Sequence, residues 1–385
     1  MSKRTILFLI FPFFFSCTEN LEKELIIDIN EKHEFNFSHI FDSFNILPLE
    51  TSKEILIGDI DKILFADDLI FLLDKRITKT VFAFGKDGKF KFKISSEGFG
   101  PGELYSPTNI TLNYDKEELI VVDGRQGKFM FYGFDGKFIK EIKKVELSSP
   151  YDINYIDGRI YIVDGFTDNW HERLKVTDED LNITENIDVF LPEDYKLING
   201  KKSTYLYELS GRKGILYKEA LNNRFIEIRE GKGQKNLIFS FSGEQFKVVS
   251  GKTYEALDFY QNFRKADNYA IGDHMINAEN FSLLSINKGE EMKLALWDRH
   301  SDSVIQISQF TNDMDGILPA ITGIPPSNVS ADIFVWAIHP KDLAAMSLNN
   351  KDQAVKYKNF VKEKVIDRDD NPILFIYQMK TTVLH

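Results

Sequence analysis

One cysteine, Cys17, occurs in 385 residues, so an intramolecular disulfide is excluded. A chain this long buries enough apolar surface to fold without cross-links. An excess of positive charge is also missing. Against 59 Asp and Glu stand 48 Lys and Arg, a formal net charge of −11. That balance argues against nucleic acid as a partner and against electrostatic docking on anionic lipid. The seven histidines (His33, His39, His171, His274, His300, His339 and His385) form no His-x-His, His-x-x-x-His or His-Glu-x-x-His spacing. Local sequence therefore supplies no zinc site. No Gly-x-Ser-x-Gly elbow is present, and no serine nucleophile has an evident partner. Long apolar runs are absent as well. The stretch Ile6 to Phe15, interrupted by Pro12, falls well short of the about 20 residues that span a bilayer.

What that stretch does form is an export signal. Lys3 and Arg4 precede it, and the small residue Ser16 leads to Cys17. A single cysteine placed there reads as a lipid attachment point, so residues 1–17 are a lipoprotein signal. Residues 18–43, with scattered Glu19, Glu22, Lys23 and Glu24, read as a tether. The folded domain is expected over 44–385. Its 13% aromatic content, including 33 Phe, describes a β-rich protein rather than a disordered one.

From Phe44 onward the chain repeats. Leu69 to Asp74, Leu119 to Asp123 and Arg159 to Asp164 are apolar strands ending in aspartate. The first two lead on to Gly85-Lys86-Asp87-Gly88-Lys89-Phe90 and Gly133-Phe134-Asp135-Gly136-Lys137-Phe138. These predict tight two-residue Asp-Gly hairpins, because Asp and Gly tolerate positive φ. Lys89 to Ile94 alternates polar and apolar, the pattern of a strand buried on one face. Asp74, Asp123 and Asp164 recur 49 and 41 residues apart, and such a period with several strands per unit is the signature of a propeller. Later copies are degenerate: strands within Ile215 to Ile228 about Asn222-Asn223, then Phe281 to Ile286, Lys293 to Trp297, Val304 to Ile307 and Ser330 to Ile338. Lys341 to Glu363 reads as one or two surface helices, and Ile373 to Met379 as a last strand. Ring closure predicts that Ile46 to Leu49 pairs with Ile373 to Tyr377.

The chain resembles the six-bladed β-propeller lipoproteins of Bacteroidetes, which are NHL-repeat-like. The resemblance rests on Leu47-Pro48-Leu49-Glu50-Thr51, Ile57-Gly58-Asp59-Ile60-Asp61-Lys62-Ile63, Gly98-Phe99-Gly100-Pro101-Gly102-Glu103, the Asp-Gly-Lys-Phe turns and Asn371-Pro372-Ile373-Leu374. It implies an all-β, six-bladed propeller, here with a short helical insertion near the C-terminus. It implies no particular activity.

Three features are candidates for chemistry. Gly98, Gly100, Gly102 and Glu103 form a glycine-rich loop, read first as an inter-blade connection and alternatively as a nest of N–H groups for an anion. Asp74, Asp123 and Asp164 read as turn caps, with a calcium-binding ring as the alternative. Trp170 and His171 interrupt the third repeat and read as a surface loop, or as a binding loop. Three functions follow as expectations. The first is a non-enzymatic binding module, lipid-anchored in the cell envelope, for a small molecule, glycan or envelope protein and without a cofactor. The second is a calcium-dependent hydrolase or lactonase with its site in the central channel. The third, by analogy alone, is a part of a glycan-uptake or envelope-sensing system. The anchor points to the outer membrane. Thr18-Glu19-Asn20 lacks the contiguous acidic run of a surface-export signal, which favours the periplasmic face.

Overall fold

Runs of β-branched and aromatic residues punctuated by Gly, Asp and Asn fold here as antiparallel meanders. The computed structural model describes residues 21–381 apart from 96–97, 101, 148–149, 165–173, 188, 190–195, 199–203, 210, 212–213, 220–221, 230–232, 248, 318–327, 331 and 348–350. Among the described residues there are six four-stranded meanders. The first comprises Lys62–Phe65, Leu69–Asp74, Thr80–Gly85 and Phe90–Ile94, and the second Pro107–Asn113, Glu118–Asp123, Lys128–Gly133 and Phe138–Lys143. The third comprises Pro150–Ile156, Arg159–Asp164, Leu174–Thr177 and Ile183–Ile187, and the fourth Thr204–Glu208, Ile215–Glu219, Arg224–Arg229 and Gly233–Phe241. The fifth comprises Tyr269–Asn277, Phe281–Lys288, Glu291–Asp298 and Val304–Thr311. In the sixth, Asn328–Ser330, Ile333–Ile338 and Ile373–Met379 are completed by Phe41–Pro48 from near the N-terminus.

The architecture is propeller-like. The first strands of the meanders touch one another in cyclic order, and Asn328–Ser330 lies against Lys62–Phe65. Apolar cores fill the spaces between successive meanders. Phe71, Leu73, Leu112 and Val121 pack between the first and second. Ile63, Phe82, Val335 and Leu374 pack between the sixth and first. Second and third strands are therefore covered on both faces, which is why Ile70 to Asp74 and Thr80 to Gly85 are buried throughout. The fourth strand is more exposed, and in the first meander, Phe90–Ile94, it alternates.

The pairing expected at the closure is present: Ile46 faces Phe375, Leu47 faces Leu374 and Pro48 faces Ile373. The helical insertion is present as Pro340–Ser347 and Lys351–Lys364, which dock Leu343 and Tyr357 into the core between the fifth and sixth meanders. A further helix, Ala256–Lys265, sits in the connection between the fourth and fifth meanders, with Phe259 and Phe263 buried.

Two expectations need correction. Residues 18–43 do not form a simple tether, because Leu21–Asn36 is a strand built into the fold. It pairs in parallel first with Gly233–Phe241 and then with Val304–Thr311, joining the fourth and fifth meanders into one nine-stranded sheet. The physical reason is a period-two pattern beneath the charge: Leu25 and Ile27 are buried while Glu24, Ile26 and Asp28 are exposed. The Asp-Gly turns at 87–88 and 135–136 are also not two-residue hairpins. Gly88 and Gly136 alone take positive φ (77° and 80°), and each donates its N–H back to Gly85 O or Gly133 O. This is the three-residue loop, with a single left-handed glycine. Asp87 and Asp135 instead accept the N–H of Lys89 and Lys137. At Asp157-Gly158 both residues have positive φ, as the two-residue turn requires.

Candidate functional site

An antiparallel meander has two ends. Its first strand starts at one, here the entry face, together with the second-to-third turns. It finishes at the other, the exit face, together with the third-to-fourth turns.

At the entry face, Lys62, Asn109 and Asp152 hold one equivalent position in three successive meanders. They face Leu73, Val122 and Val163, each one residue short of the strand-end aspartate. The residue type changes from repeat to repeat, and the three side chains meet. Lys62 Nζ donates to Asn109 Oδ1 at 2.9 Å, Asp152 Oδ1 at 2.8 Å and the Ile153 carbonyl at 2.9 Å. The other oxygen of Asp152 accepts the Leu206 N–H at 3.0 Å. All three ammonium protons are therefore used, and one polar chain ties four meanders together. Lys62→Met would leave the Asp152 carboxylate without its cation. The expected loss is about 2–3 kcal/mol of unfolding free energy, read from urea midpoints. A change within about 0.5 kcal/mol would mean the chain does not hold the meanders together.

The strand-end aspartates lie at the same face. Asp74 is fully buried and accepts the N–H groups of Gly58 (2.9 Å), Asp59 (3.1 Å) and Ile77 (2.9 Å) and the Thr78 hydroxyl. Asp123, equally buried, accepts the N–H groups of Tyr105, Ser106, Arg125 and Gln126 and the Gln126 side-chain amide. Each carboxylate pins the segment entering its own meander to its own second-to-third turn. Burial pushes both carboxyls up, but the donated hydrogen bonds outweigh it and hold them below 3.8. Asp164 differs, forming an ion pair with Lys175 at 2.5 Å. Among the described residues no three His, Cys, Asp or Glu side chains are grouped to hold a metal.

The glycine-rich loop is closed by its own acid. Gly100 N–H donates to Glu103 Oε2 at 2.8 Å, and Gly102 N–H to Glu141 Oε2 at 3.3 Å. Gly98 N–H donates to the Leu104 carbonyl at 3.2 Å. A Cβ at Gly98 would meet Glu103 Oε2 at 2.4 Å, and Gly102 has φ +75°. The Glu103 carboxylate thus sits where the nest reading places an external anion. Phe99 projects from this loop, 63% exposed, and stacks on Tyr105 at 4.3 Å. On Tyr105 the Arg125 guanidinium also rests, at 4.9 Å. Phe99→Ala is expected to leave the melting temperature within about 1 °C, because its ring buries little. A larger drop would show that the stack supports the loop. Cys17, Trp170 and His171 lie outside the described residues.

The exit face is open where the entry face is tied. A cavity of about 440 Å³ there is lined by Phe65, Ala66 and Asp67 of the first meander, Tyr114 of the second, Glu208 and Gly211 of the fourth, and Asp332 and Ile333 of the sixth. Ile70, Lys86, Asn45 and Ile376 complete the wall. Tyr114 O–H donates to the Phe65 carbonyl at 2.9 Å, fixing the rim between two meanders. Three carboxylates against one ammonium make the wall acidic. Apolar side walls with a few converging polar groups, in this size range, describe a small-molecule site. None of these residues forms a motif in sequence, since they come from strands and turns of four separate repeats.

Two solved structures share the fold. A Bacteroides fragilis protein inferred to be exported is 16% identical, with a TM-score of 0.64 over 93% of this chain and 100% of that one. A Bacteroides vulgatus member of the DUF4221 family is 9% identical, with a TM-score of 0.56 over 89% and 98%. No curated protein matches the sequence. Family resemblance is nonetheless decisive over nearly the whole fold: matching along residues 24–378, the chain belongs to the family of the domain of unknown function DUF4934.

Proposed function

We propose that this protein is a six-bladed β-propeller, lipid-anchored in the cell envelope through Cys17, that acts as a binding module with its ligand site in the exit-face cavity. The six-blade reading is supported by the cyclic contacts of the first strands and by the pairing of Phe41–Pro48 with Ile373–Met379. The binding reading is carried by the cavity, which four meanders build together. Its acidic wall and apolar sides suit a neutral polyhydroxylated or cationic small molecule rather than an anion. The likeness to a Bacteroides protein inferred to be exported is in keeping with an envelope location. No described helix is long and apolar enough to cross a membrane.

A thermal-shift screen of residues 18–385 against oligosaccharides, amines, small metabolites and divalent cations tests the site. A ligand that binds only the folded state raises the midpoint by RT ln(1 + [L]/Kd). The expected result is a saturable rise with a sugar or amine that is lost in Asp67→Ala and Lys86→Ala. Both residues are exposed, so neither substitution is expected to move the unliganded midpoint by more than about 1 °C. A shift that survives both substitutions would place the site elsewhere, and no shift with any compound would sink the small-molecule reading. The anchor has its own test: Cys17→Ala is expected to release the protein from the membrane fraction, and unchanged sedimentation with membranes would overturn it.

A further inference from the structure

The strand Leu21–Asn36 changes what a lipid on Cys17 would do. Had residues 18–43 been a free coil, they would have spanned about 28 Å on average and about 90 Å at full stretch. A domain of this size is about 50 Å across. On such a leash either face could turn to the membrane. Instead, Leu21 is already paired with Lys235, and Lys23 forms an ion pair with Asp302. Leu25 and Ile27 are buried in the core between the fourth and fifth meanders. Only residues 18–20 separate Cys17 from Leu21, the first described residue of the sheet, a reach of at most about 14 Å. That is short against the width of the molecule.

The attachment point also has a face. Lys235 is near the start of Gly233–Phe241, a fourth strand, and fourth strands start at the exit face. Asp302 lies in the third-to-fourth turn of the fifth meander, between Glu291–Asp298 and Val304–Thr311, also at the exit face. Lys86, from the corresponding turn of the first meander, lines the cavity beside Phe65 and Asp67. The chain therefore leaves for the bilayer from the rim of the face that holds the cavity.

We infer that the exit face is a membrane-facing surface: the cavity opens toward the lipid surface to which the protein is anchored, and the entry face, with Phe99 and the Asp-capped turns, points away from it. This rests on the reading of Cys17 as the lipid attachment site. Geometry supplies the orientation, and no electrostatic attraction is required of a chain with net charge −11.

The test uses the full lipidated chain on phosphatidylcholine vesicles carrying a headgroup quencher. The protein has no other cysteine, so a single thiol introduced elsewhere takes a fluorophore alone. His300→Cys places it in an exposed exit-face turn, and Glu290→Cys in an exposed entry-face turn of the same meander. The two ends of a meander of this length are about 20 Å apart. The expected result is quenching about threefold or more stronger at 300 than at 290. Inserting about twenty Gly and Ser residues after Thr18 should erase the difference while the protein still floats with the vesicles. Equal quenching at both sites in a protein that floats would overturn the orientation and leave the anchor standing. Stronger quenching at 290 would reverse the faces. Failure of the unmodified chain to float, with the vesicles intact, would remove the anchor and the inference with it.

Discussion

Replacing Asp123 by Ala is expected to lower the unfolding free energy by about 4 kcal/mol, one of the two largest effects the structure predicts. The carboxylate is fully buried and takes hydrogen bonds from four backbone N–H groups and one side-chain amide. Alanine leaves those donors without their acceptor. An unsatisfied buried donor costs about 1–3 kcal/mol, and partial relaxation keeps the total below the simple sum. Asp74→Ala is expected to behave alike, since its partners are of the same kind. Asp123→Asn keeps one acceptor oxygen and loses the charge, so about half the effect is expected. Equilibrium urea unfolding reads all three. A loss under about 1 kcal/mol for Asp123→Ala would mean that the turn finds its bonds elsewhere.

The same carboxyls predict how stability depends on pH. Both are held below the 3.8 of an unperturbed aspartate. A group whose pKa is depressed by folding contributes stability that is fully present above the unfolded value, and that is lost as pH falls through the lower folded value. Acid should therefore weaken the wild type below about pH 4. Asp123→Ala, having already lost that term, should show a shallower acid limb in midpoint against pH. An unchanged slope would assign the acid sensitivity to other carboxylates.

Removing the closing strand is the second large effect. Truncation after Asp370 deletes Ile373, Leu374, Phe375, Tyr377 and Met379, all nearly or fully buried between Ile333–Ile338 and Phe41–Pro48. At about 1.5–3 kcal/mol for each side chain the loss is on the order of 10 kcal/mol, as large as the whole stability of an ordinary domain. No cooperative thermal transition is expected from that variant. A milder probe spares the strand. Asn371 accepts the Ile57 N–H through Oδ1 at 2.9 Å and donates from Nδ2 to the carbonyls of Glu50 and Ile55. It latches the C-terminal strand to the segment that enters the first meander. Asn371→Ala should cost about 3 kcal/mol. A melting transition unchanged by the truncation would show that the meanders do not depend on ring closure.

Much of the fold was legible in the residues because a meander is local. Apolar runs such as Leu69 to Leu73, the alternation at Lys89 to Ile94 and the recurring Asp74, Asp123 and Asp164 report covered and half-covered strands directly. The Leu47/Leu374 pairing followed from the need to close a ring, and the helices of 341–363 from apolar residues such as Ala344, Val355 and Phe360 among charged ones, whereas the docking of Leu343 and Tyr357 in the core did not. The Leu21–Asn36 strand was hidden because the strands it pairs with lie more than two hundred residues away in sequence, where Leu25 meets Phe239 and Ile27 meets Val304. Local charge outweighed an alternation of two buried side chains. The polar chain of Lys62, Asn109 and Asp152 carried one faint signal: unlike residues at one repeat position. That signal appears only when the repeats are aligned on the strand-end aspartates.

The amino-acid sequence by itself determined the β-rich repeat and the turns capped by Asp74 and Asp123, because each depends on residues near one another along the chain. Only the tertiary structure decided that the glycine-rich loop is filled by its own Glu103, that one face is tied by Lys62 while the other holds a cavity, and that the N-terminal segment is a strand. Those outcomes depend on which turns a closed ring brings together, and contacts between meanders leave no spacing for a single sequence to display.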